Sequence, residues 1–226
     1  MGSGMDQVTG HPVGERWTSL PGMMLGLAAR NPDAAMIRHW EGGGWKRTLW
    51  RDFALAVANV AAGLRARGVS PGDRVLLAME SRPEFLIADT AVMAIGAVTV
   101  PTYVTNTVAD HAHVLRDSGA RAAIAGRARL AGLLRQAAGA EHGGSGLDLL
   151  VCLEEAEGAV TWAELAATPG DLAMLVAEVE HIPEGRLACL IYTSGTGGKP
   201  RGVMLPHRAM LANQRGFAIV AERLKL

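Results

Sequence analysis

The sequence has little of several features that would mark a specialised protein class. Its 22 basic and 22 acidic residues cancel, which argues against a nucleic-acid-binding surface. We find no secretory signal, and the longest apolar stretch, 88–101, contains Asp89 and is too short to span a bilayer. The two cysteines, Cys152 and Cys189, lie in apolar runs without metal-ligand spacing. We therefore expect buried free thiols, a cytoplasmic protein and no metal ligands.

The apolar content, 49% of the 226 residues, is enough for a sizeable core. A helix is predicted over 20–30, a β-hairpin over 35–50 and an amphipathic helix over 52–67. From residue 70 onward, apolar segments of four to six residues alternate with helical patterns. This alternation predicts an α/β fold with a mostly parallel sheet flanked by helices on both faces.

One segment, Leu190–Gly202, reads LIYTSGTGGKPRG and carries the strongest chemical signal. An apolar strand, predicted over 187–192, leads into a loop of hydroxyls, glycines and one lysine. The candidate binding residues are Thr193, Ser194, Gly195, Thr196, Gly197, Gly198 and Lys199. Glycines let backbone N–H groups approach an anion, hydroxyls donate hydrogen bonds, and lysine supplies positive charge. The loop therefore predicts a polyphosphate site at the carboxyl end of a strand.

Two common phosphate-binding patterns do not fit this loop. A Walker A loop would need glycine at Thr193 and Ser or Thr where Pro200 stands. A dinucleotide fingerprint would need glycine at position 200 as well. An ordinary glycine-rich turn without a ligand remains the alternative from the residues alone.

The loop resembles the signature of the adenylate-forming superfamily, which includes acyl-CoA synthetases, luciferases and peptide-synthetase adenylation domains. The family form is YTSGTTGKPKG, and residues 192–202 match it at nine of eleven positions. Gly197 replaces a threonine and Arg201 replaces a lysine. Glycine at that place, and the segment 115–120 (LRDSGA), resemble bacterial long-chain acyl-CoA synthetases in particular.

The resemblance implies a two-step reaction with ATP, Mg²⁺ and coenzyme A. A carboxylate, such as that of a fatty acid, attacks the α-phosphate of ATP, and coenzyme A then displaces AMP. The family's adenine- and metal-binding motif, ribose-binding aspartate and catalytic lysine cannot be mapped onto this sequence. We therefore assign no catalytic residue and expect an N-terminal part of a synthetase that is inactive by itself.

Other functions stay open at this point. A fatty acyl-AMP ligase or a peptide-synthetase adenylation domain would share the loop, and a non-catalytic phosphate- or nucleotide-binding module is a third reading. The ligands expected are small molecules, with no nucleic acid, although peripheral contact with a membrane remains open. Acyl chain length cannot be inferred from this segment.

The resemblance also suggests how the chain is divided. Residues 1–19 form an expression scar and extension, and 20–68 (hairpin and helix) form part of an incomplete second subdomain. Residues 69–205 form the α/β subdomain, and 206–226 form a terminal helix at the truncated edge of the second. The apolar positions of this terminal helix are Met210, Phe217, Ala221 and Leu224. Because such a face lacks its cover, we expect dimerisation, exchange of elements between copies, or rearrangement of this helix.

Several other residues invite a functional reading that a simpler one outweighs. His111 and His113 are two apart on a predicted helix, where side chains diverge, so we expect surface histidines rather than a metal site. His207 is expected to cap or pack beside the loop. The tryptophans Trp40, Trp45 and Trp50 are expected to pack rather than form a ligand cage.

Overall fold

The computed structural model of the protein describes residues 17–144, 146–193 and 199–224, with side chains as far as residue 216. Its strands are β1 (Ala35–Glu41), β2 (Gly44–Leu49), β3 (Arg74–Ala78), β4 (Val98–Pro101), β5 (Ala122–Ala125), β6 (Leu149–Cys152), β7 (Val160–Thr161), β8 (Leu187–Thr193) and β9 (Arg201–Pro206). Its helices are α1 (Leu20–Arg30), α2 (Trp50–Ala66), α3 (Pro83–Ala94), α4 (Val108–Ser118), α5 (Ala128–Ala137), α6 (Trp162–Ala166), α7 (Leu172–Glu180) and α8 (His207–Leu224).

Seven of the strands form one sheet in the order β7-β6-β5-β3-β4-β8-β9. Neighbouring strands are parallel except β8 and β9, which are antiparallel. The predicted α/β class with a mostly parallel sheet is confirmed. The chain passes from β3 to β4 on one side and then crosses to β5 on the other, so its direction of winding reverses between β3 and β5. Ligands of such sheets bind beyond the carboxyl ends of the strands.

The central strand β3 is buried on both faces, as its unbroken apolar run predicts. Val75 and Leu77 join a cluster with side chains from α1, α2, α3, α6 and α7. Leu76 and Ala78 point the other way and join a cluster with α4 and α5. Helices therefore cover both faces of the sheet, as predicted, and both cysteines are free and buried, as expected.

Strands β1 and β2 form a separate two-stranded hairpin, as predicted. Trp50 packs edge-on against Phe53 at its base, with ring centroids 6.1 Å apart. Trp40 and Trp45 pack edge-on against each other near the hairpin tip, although both remain exposed, at 63% and 72%. Helix α2, by contrast, packs into the main core, and the proposed division of the chain at residue 68 stays a prediction.

Three local details are not among the sequence-based expectations. Pro83 begins α3, Arg82 occupies its cap position, and Glu84 accepts from Arg82 at 2.7 Å. Helix α7 was not predicted, although Asp171 caps it by accepting the Met174 N–H. Strand β9 follows the predicted loop and pairs with β8 in an antiparallel ladder.

Candidate functional site

The predicted binding loop joins two antiparallel strands rather than a strand and a helix. Strand β8 ends at Thr193 and β9 begins at Arg201, and these two residues are paired across the ladder. Because β8 runs parallel to β4, its end lies at the same edge of the sheet as the carboxyl ends of β3, β4 and β5. Thr193 and Lys199 are exposed at this edge. Ser194, Gly195, Thr196, Gly197 and Gly198 lie outside the described residues, and their role stays a prediction.

Tyr192, the last buried residue before the loop, is packed on two sides. A Cβ atom on Gly202, its partner across the ladder, would stand only 3.2 Å from the Tyr192 Cζ atom. The His113 ring of α4 meets the tyrosine ring edge-on, with centroids 6.2 Å apart. The Tyr192 hydroxyl donates to Asp117 Oδ2 at 2.7 Å. Burial and this carboxylate both raise the pKa of Tyr192 above its ordinary value, so the phenol stays protonated.

The strand after the loop is held by the same helix. His113 Nε2 lies 2.7 Å from the carbonyl oxygen of Pro200. Since a carbonyl only accepts, Nε2 carries the proton and donates. The expectation of surface histidines on α4 is therefore wrong: His113 is half-buried and bonded.

His111 is fully buried, and neither ring nitrogen has a hydrogen-bond partner among the described residues. Burial lowers the pKa of His111, so its ring is neutral.

Lys199 borders a cleft of about 470 Å³ between the loop and α4. His113 and Arg116 of α4 and the backbone turn at His142 line the same cleft, with the Asp110 carboxylate at one side. Within the described part of the chain, neither Lys199 nor Arg201 forms an ion pair, although Asp110 and Glu141 also line the cleft that Lys199 borders.

A second group of charges lies at the same edge, beyond β3, β5 and β6. Arg127 binds Glu80 at 3.3 Å and Glu154 at 3.2 Å. Glu154 also accepts the backbone N–H of Ala128 at 2.8 Å, which caps the first turn of α5. Backbone hydrogen bonding and Arg127 lower the pKa of both carboxyls, although burial opposes this. Sequence analysis did not foresee this network, since its members are 27 to 74 positions apart.

Sequence analysis also missed a buried carboxyl beneath β8. Burial raises the pKa of Asp89 on α3 to about 6, although the neighbouring Thr99 of β4 opposes this shift. Cys189 of β8 contacts the same threonine, and burial raises the pKa of its thiol to about 11. The only prior signal was an aspartate inside an apolar helical segment.

His207 is buried, but the expectation that it lies beside the loop is wrong, because it follows the other end of β9 and caps α1. Its Nδ1 atom accepts the backbone N–H of Leu20 at 3.3 Å. Burial, with a smaller effect of Arg186, lowers the pKa of His207 to about 4. A neutral ring is what an acceptor nitrogen requires.

Two features are absent from the described residues. No group of three or more His, Cys, Asp or Glu side chains there is arranged to hold a metal ion. None of the helices in that part combines the length and apolar character needed to cross a bilayer.

The chain is similar in sequence to parts of known enzymes. The long-chain-fatty-acid–CoA ligase FadD15 of Mycobacterium tuberculosis is 34% identical over 194 residues, which are 82% of this chain and 31% of that protein. The phosphinothricin tripeptide synthetase PhsB of Streptomyces viridochromogenes is 30% identical over 197 residues, 87% of this chain and 15% of that protein. The chain thus spans less than a third of these relatives.

The fold is also found among solved structures. The apo structure of Mycobacterium smegmatis MbtA matches with a TM-score of 0.71 and 24% identity, over 91% of this chain and 38% of that one. The sequence profile described as AMP-binding enzyme matches residues 27–226. With the glycine loop at the carboxyl edge of a mostly parallel sheet, this match shows that the chain belongs to the AMP-binding enzyme family.

Proposed function

We propose that this chain carries the polyphosphate-binding part of an ATP-dependent acyl-CoA synthetase of the long-chain fatty acid type. The reaction would convert a fatty acid, ATP and coenzyme A to acyl-CoA, AMP and pyrophosphate through an acyl-adenylate. The observation that carries the proposal is the β8–β9 hairpin, which holds Thr193 and Lys199 at the carboxyl edge of the sheet in a family member. The similarity to FadD15 supports the choice of a fatty acid.

The work of these residues is positioning and charge neutralisation rather than nucleophilic attack. Lys199 and the hydroxyl of Thr193 would bind the β- and γ-phosphates, and Arg201 would add positive charge at the base of the loop. A polyphosphate carries several negative charges at pH 7, so magnesium would accompany it. No protein ligand for magnesium is assigned.

A pair of lysine variants tests the binding site. The 226-residue chain is titrated with magnesium pyrophosphate by isothermal titration calorimetry. Removing one charged hydrogen bond should weaken binding about tenfold in Lys199→Ala. Lys46→Ala removes an exposed lysine from the hairpin strand β2 and should bind as the parent chain does. Equal affinity in the Lys199→Ala variant and the parent would refute the assignment of Lys199.

We further propose that this chain alone does not form acyl-CoA. The matched part covers only 31% of FadD15, and no catalytic residue is assigned in this chain. Incubation with ATP, magnesium, fatty acids and coenzyme A should yield no acyl-CoA by mass spectrometry. Fatty-acid-dependent release of pyrophosphate above background would contradict this.

The acyl acceptor separates the leading proposal from its main alternative. The similarity to PhsB favours a second candidate, the adenylation domain of a peptide synthetase, in which a carrier protein accepts the acyl group. A full-length protein containing this chain should form a thioester with free coenzyme A if the leading proposal holds. Transfer only to a carrier protein would favour the alternative, and pyrophosphate binding without adenylation would favour a non-catalytic module.

We also propose that the chain self-associates through β9. This strand lies at the edge of the sheet, and Val203 and Met204 on it are 44% and 67% exposed. Apolar edge strands are templates for pairing with a second copy. Light scattering after size exclusion should show a dimer that Met204→Lys converts to a monomer; a monomeric parent chain would contradict this. The side chains of Phe217, Ala221 and Leu224 lie outside the described residues.

A further inference from the structure

One helix, α4, contacts the strands on both sides of the predicted binding loop. His113 and Asp117 are four residues apart on α4, so their side chains project from the same face. His113 donates to the Pro200 carbonyl at 2.7 Å, and Asp117 accepts from the Tyr192 hydroxyl at 2.7 Å. Tyr192 precedes the loop and Pro200 follows it, so two hydrogen bonds from adjacent turns of one helix fix both ends.

The position of these two hydrogen bonds matters because few backbone hydrogen bonds from the sheet hold the chain at the ends of the loop. Strand β9 is at the edge of the sheet and pairs only with β8 among the described strands. The ladder ends at the Thr193–Arg201 pair. Pro200, one residue further, has no N–H with which to extend the ladder, and its carbonyl is taken by His113. The helix therefore supplies the support that a third strand would give.

We propose that His113 and Asp117 are positioning residues that set the separation of Thr193 and Lys199 and so the fit of the loop to a polyphosphate. This inference rests on the proposed function of the loop. His113 acts through Pro200, the residue next to Lys199, and Asp117 acts through Tyr192, the residue next to Thr193. Neither side chain needs to contact the ligand.

The packing of the rings shows how the two bonds are coupled. Tyr192 lies between the His113 ring and the Gly202 backbone. A shift of His113 therefore changes both the Pro200 bond and the surface on which Tyr192 rests. We expect the two hydrogen bonds to be interdependent, as contacts within one network are.

The test compares variants that remove or keep the donor at position 113. His113→Phe keeps the ring that packs on Tyr192 and removes the donor, whereas His113→Gln keeps an N–H donor. His181→Phe is the matched control, because His181 Nδ1 makes a comparable bond to the Ala177 carbonyl at 2.8 Å on α7, on the opposite face of the sheet. Amide hydrogen exchange at Thr193, Arg201 and Gly202 is measured without ligand, and pyrophosphate affinity by calorimetry.

We expect exchange at these amides to accelerate about fivefold in His113→Phe, with a comparable loss of affinity, since one hydrogen bond contributes about 1 kcal/mol. His113→Gln and His181→Phe should both match the parent chain. A purely structural role would instead lower global stability, measured by urea unfolding, and accelerate exchange throughout the sheet. That result, or unchanged exchange in His113→Phe, would overturn the proposal.

A second pair of variants tests the other end of the loop. This pair also keeps the proposal testable if His113→Phe does not fold. Tyr192→Phe removes only the hydroxyl, and Asp117→Asn keeps an acceptor oxygen. The first should accelerate exchange at Thr193 and the second should not; equal exchange in both would overturn the role of Asp117. If the parent chain binds no pyrophosphate, the proposed function of the loop fails, but the exchange comparison still decides whether α4 fixes its ends.

Discussion

The two halves of the sheet's carboxyl edge are built differently. Beyond β3, β5 and β6, the charged groups neutralise each other: Arg127 lies between Glu80 and Glu154, and Glu154 caps α5. Beyond β8 and β9, Lys199 and Arg201 have no carboxylate partner within the described residues. Among the described residues, the cation at one end of the edge is therefore held in ion pairs, whereas Lys199 and Arg201 at the other end form none.

The predicted site does not coincide with the point that strand topology alone would indicate. The reversal of winding between β3 and β5 is where an open α/β sheet ordinarily binds its ligand. Here the carboxylate of Glu154 occupies the helix terminus at that point, where an anion would otherwise bind. The predicted anion site lies instead at the β8–β9 hairpin, two strands away from β3.

The two halves differ most in how tightly their backbones pack. The largest effect on stability is expected from Gly126→Ala. A Cβ atom there would lie 2.6 Å from Met79 Cβ and 3.1 Å from Met79 Cα, so Gly126→Ala forces β3 and β5 apart. We expect a loss of about 2–3 kcal/mol in the free energy of unfolding, measured with urea. Gly132→Ala on α5 meets nothing within 4 Å and should instead stabilise by up to about 1 kcal/mol.

Gly202→Ala is the corresponding change in the other half of the edge. The new Cβ would meet the Tyr192 ring at 3.2 Å, and a ring can move by a few tenths of an ångström where a strand backbone cannot. The loss of stability should stay below about 1 kcal/mol. A loss as large as that of Gly126→Ala would show that both halves are equally rigid.

Two carboxyls, Asp89 of α3 and Glu80 after β3, have pKa values shifted in opposite directions, and the pH dependence of stability should reveal this. The Asp89 carboxyl, without a cationic partner among the described residues, has its pKa raised from 3.8 to about 6. Its folded form binds the proton more tightly, so its stabilising effect is complete below about pH 4 and is lost as pH rises through about 6. Asp89→Asn should therefore remove a fall in stability on the order of 2 kcal/mol between about pH 4.5 and 7.5.

Glu80 is the control for this measurement. Its pKa is lowered, so its stabilising effect is present above the unfolded pKa and is lost as pH falls through the folded one. Glu80→Gln should change the pH profile of urea unfolding in the opposite direction to Asp89→Asn. Profiles with the same sign would mean that Asp89 is paired with a cation in solution.

The sequence allowed most of the fold to be predicted, because strands and helices carry periodic apolar patterns. The α/β class, the order of elements and the position of the loop at a strand end followed from that periodicity. Helix α7 did not, since it directly follows α6 and only Asp171 marks its beginning. The antiparallel direction of β9 also lay beyond reach, because strand direction depends on a hairpin geometry that the loop composition does not determine.

The candidate site was only partly foreseen, for a reason that the contacts make clear. Thr193 and Lys199 were named because their residue types and spacing carry chemistry locally. His113 and Asp117 were missed as partners of the loop because they lie 87 and 75 positions from Pro200 and Tyr192. Only the packing of α4 against β8 brings them together, and no local pattern encodes that contact.

The smallest expected effect tests whether charge at the two ends of the edge is interchangeable. Arg127→Gln removes a positive charge from the same edge as Lys199, but that charge already serves Glu80 and Glu154. The side chain is 55% exposed, so the loss of stability should be slight and should vanish at high salt. Pyrophosphate affinity measured by calorimetry should equal that of the parent chain, in contrast to Lys199→Ala. Arg127→Gln could instead weaken binding as much as Lys199→Ala does. The anion would then be held by the whole edge rather than by its β8–β9 end. In that case, neutralisation of Arg127 by Glu80 and Glu154 would not be what separates the two halves.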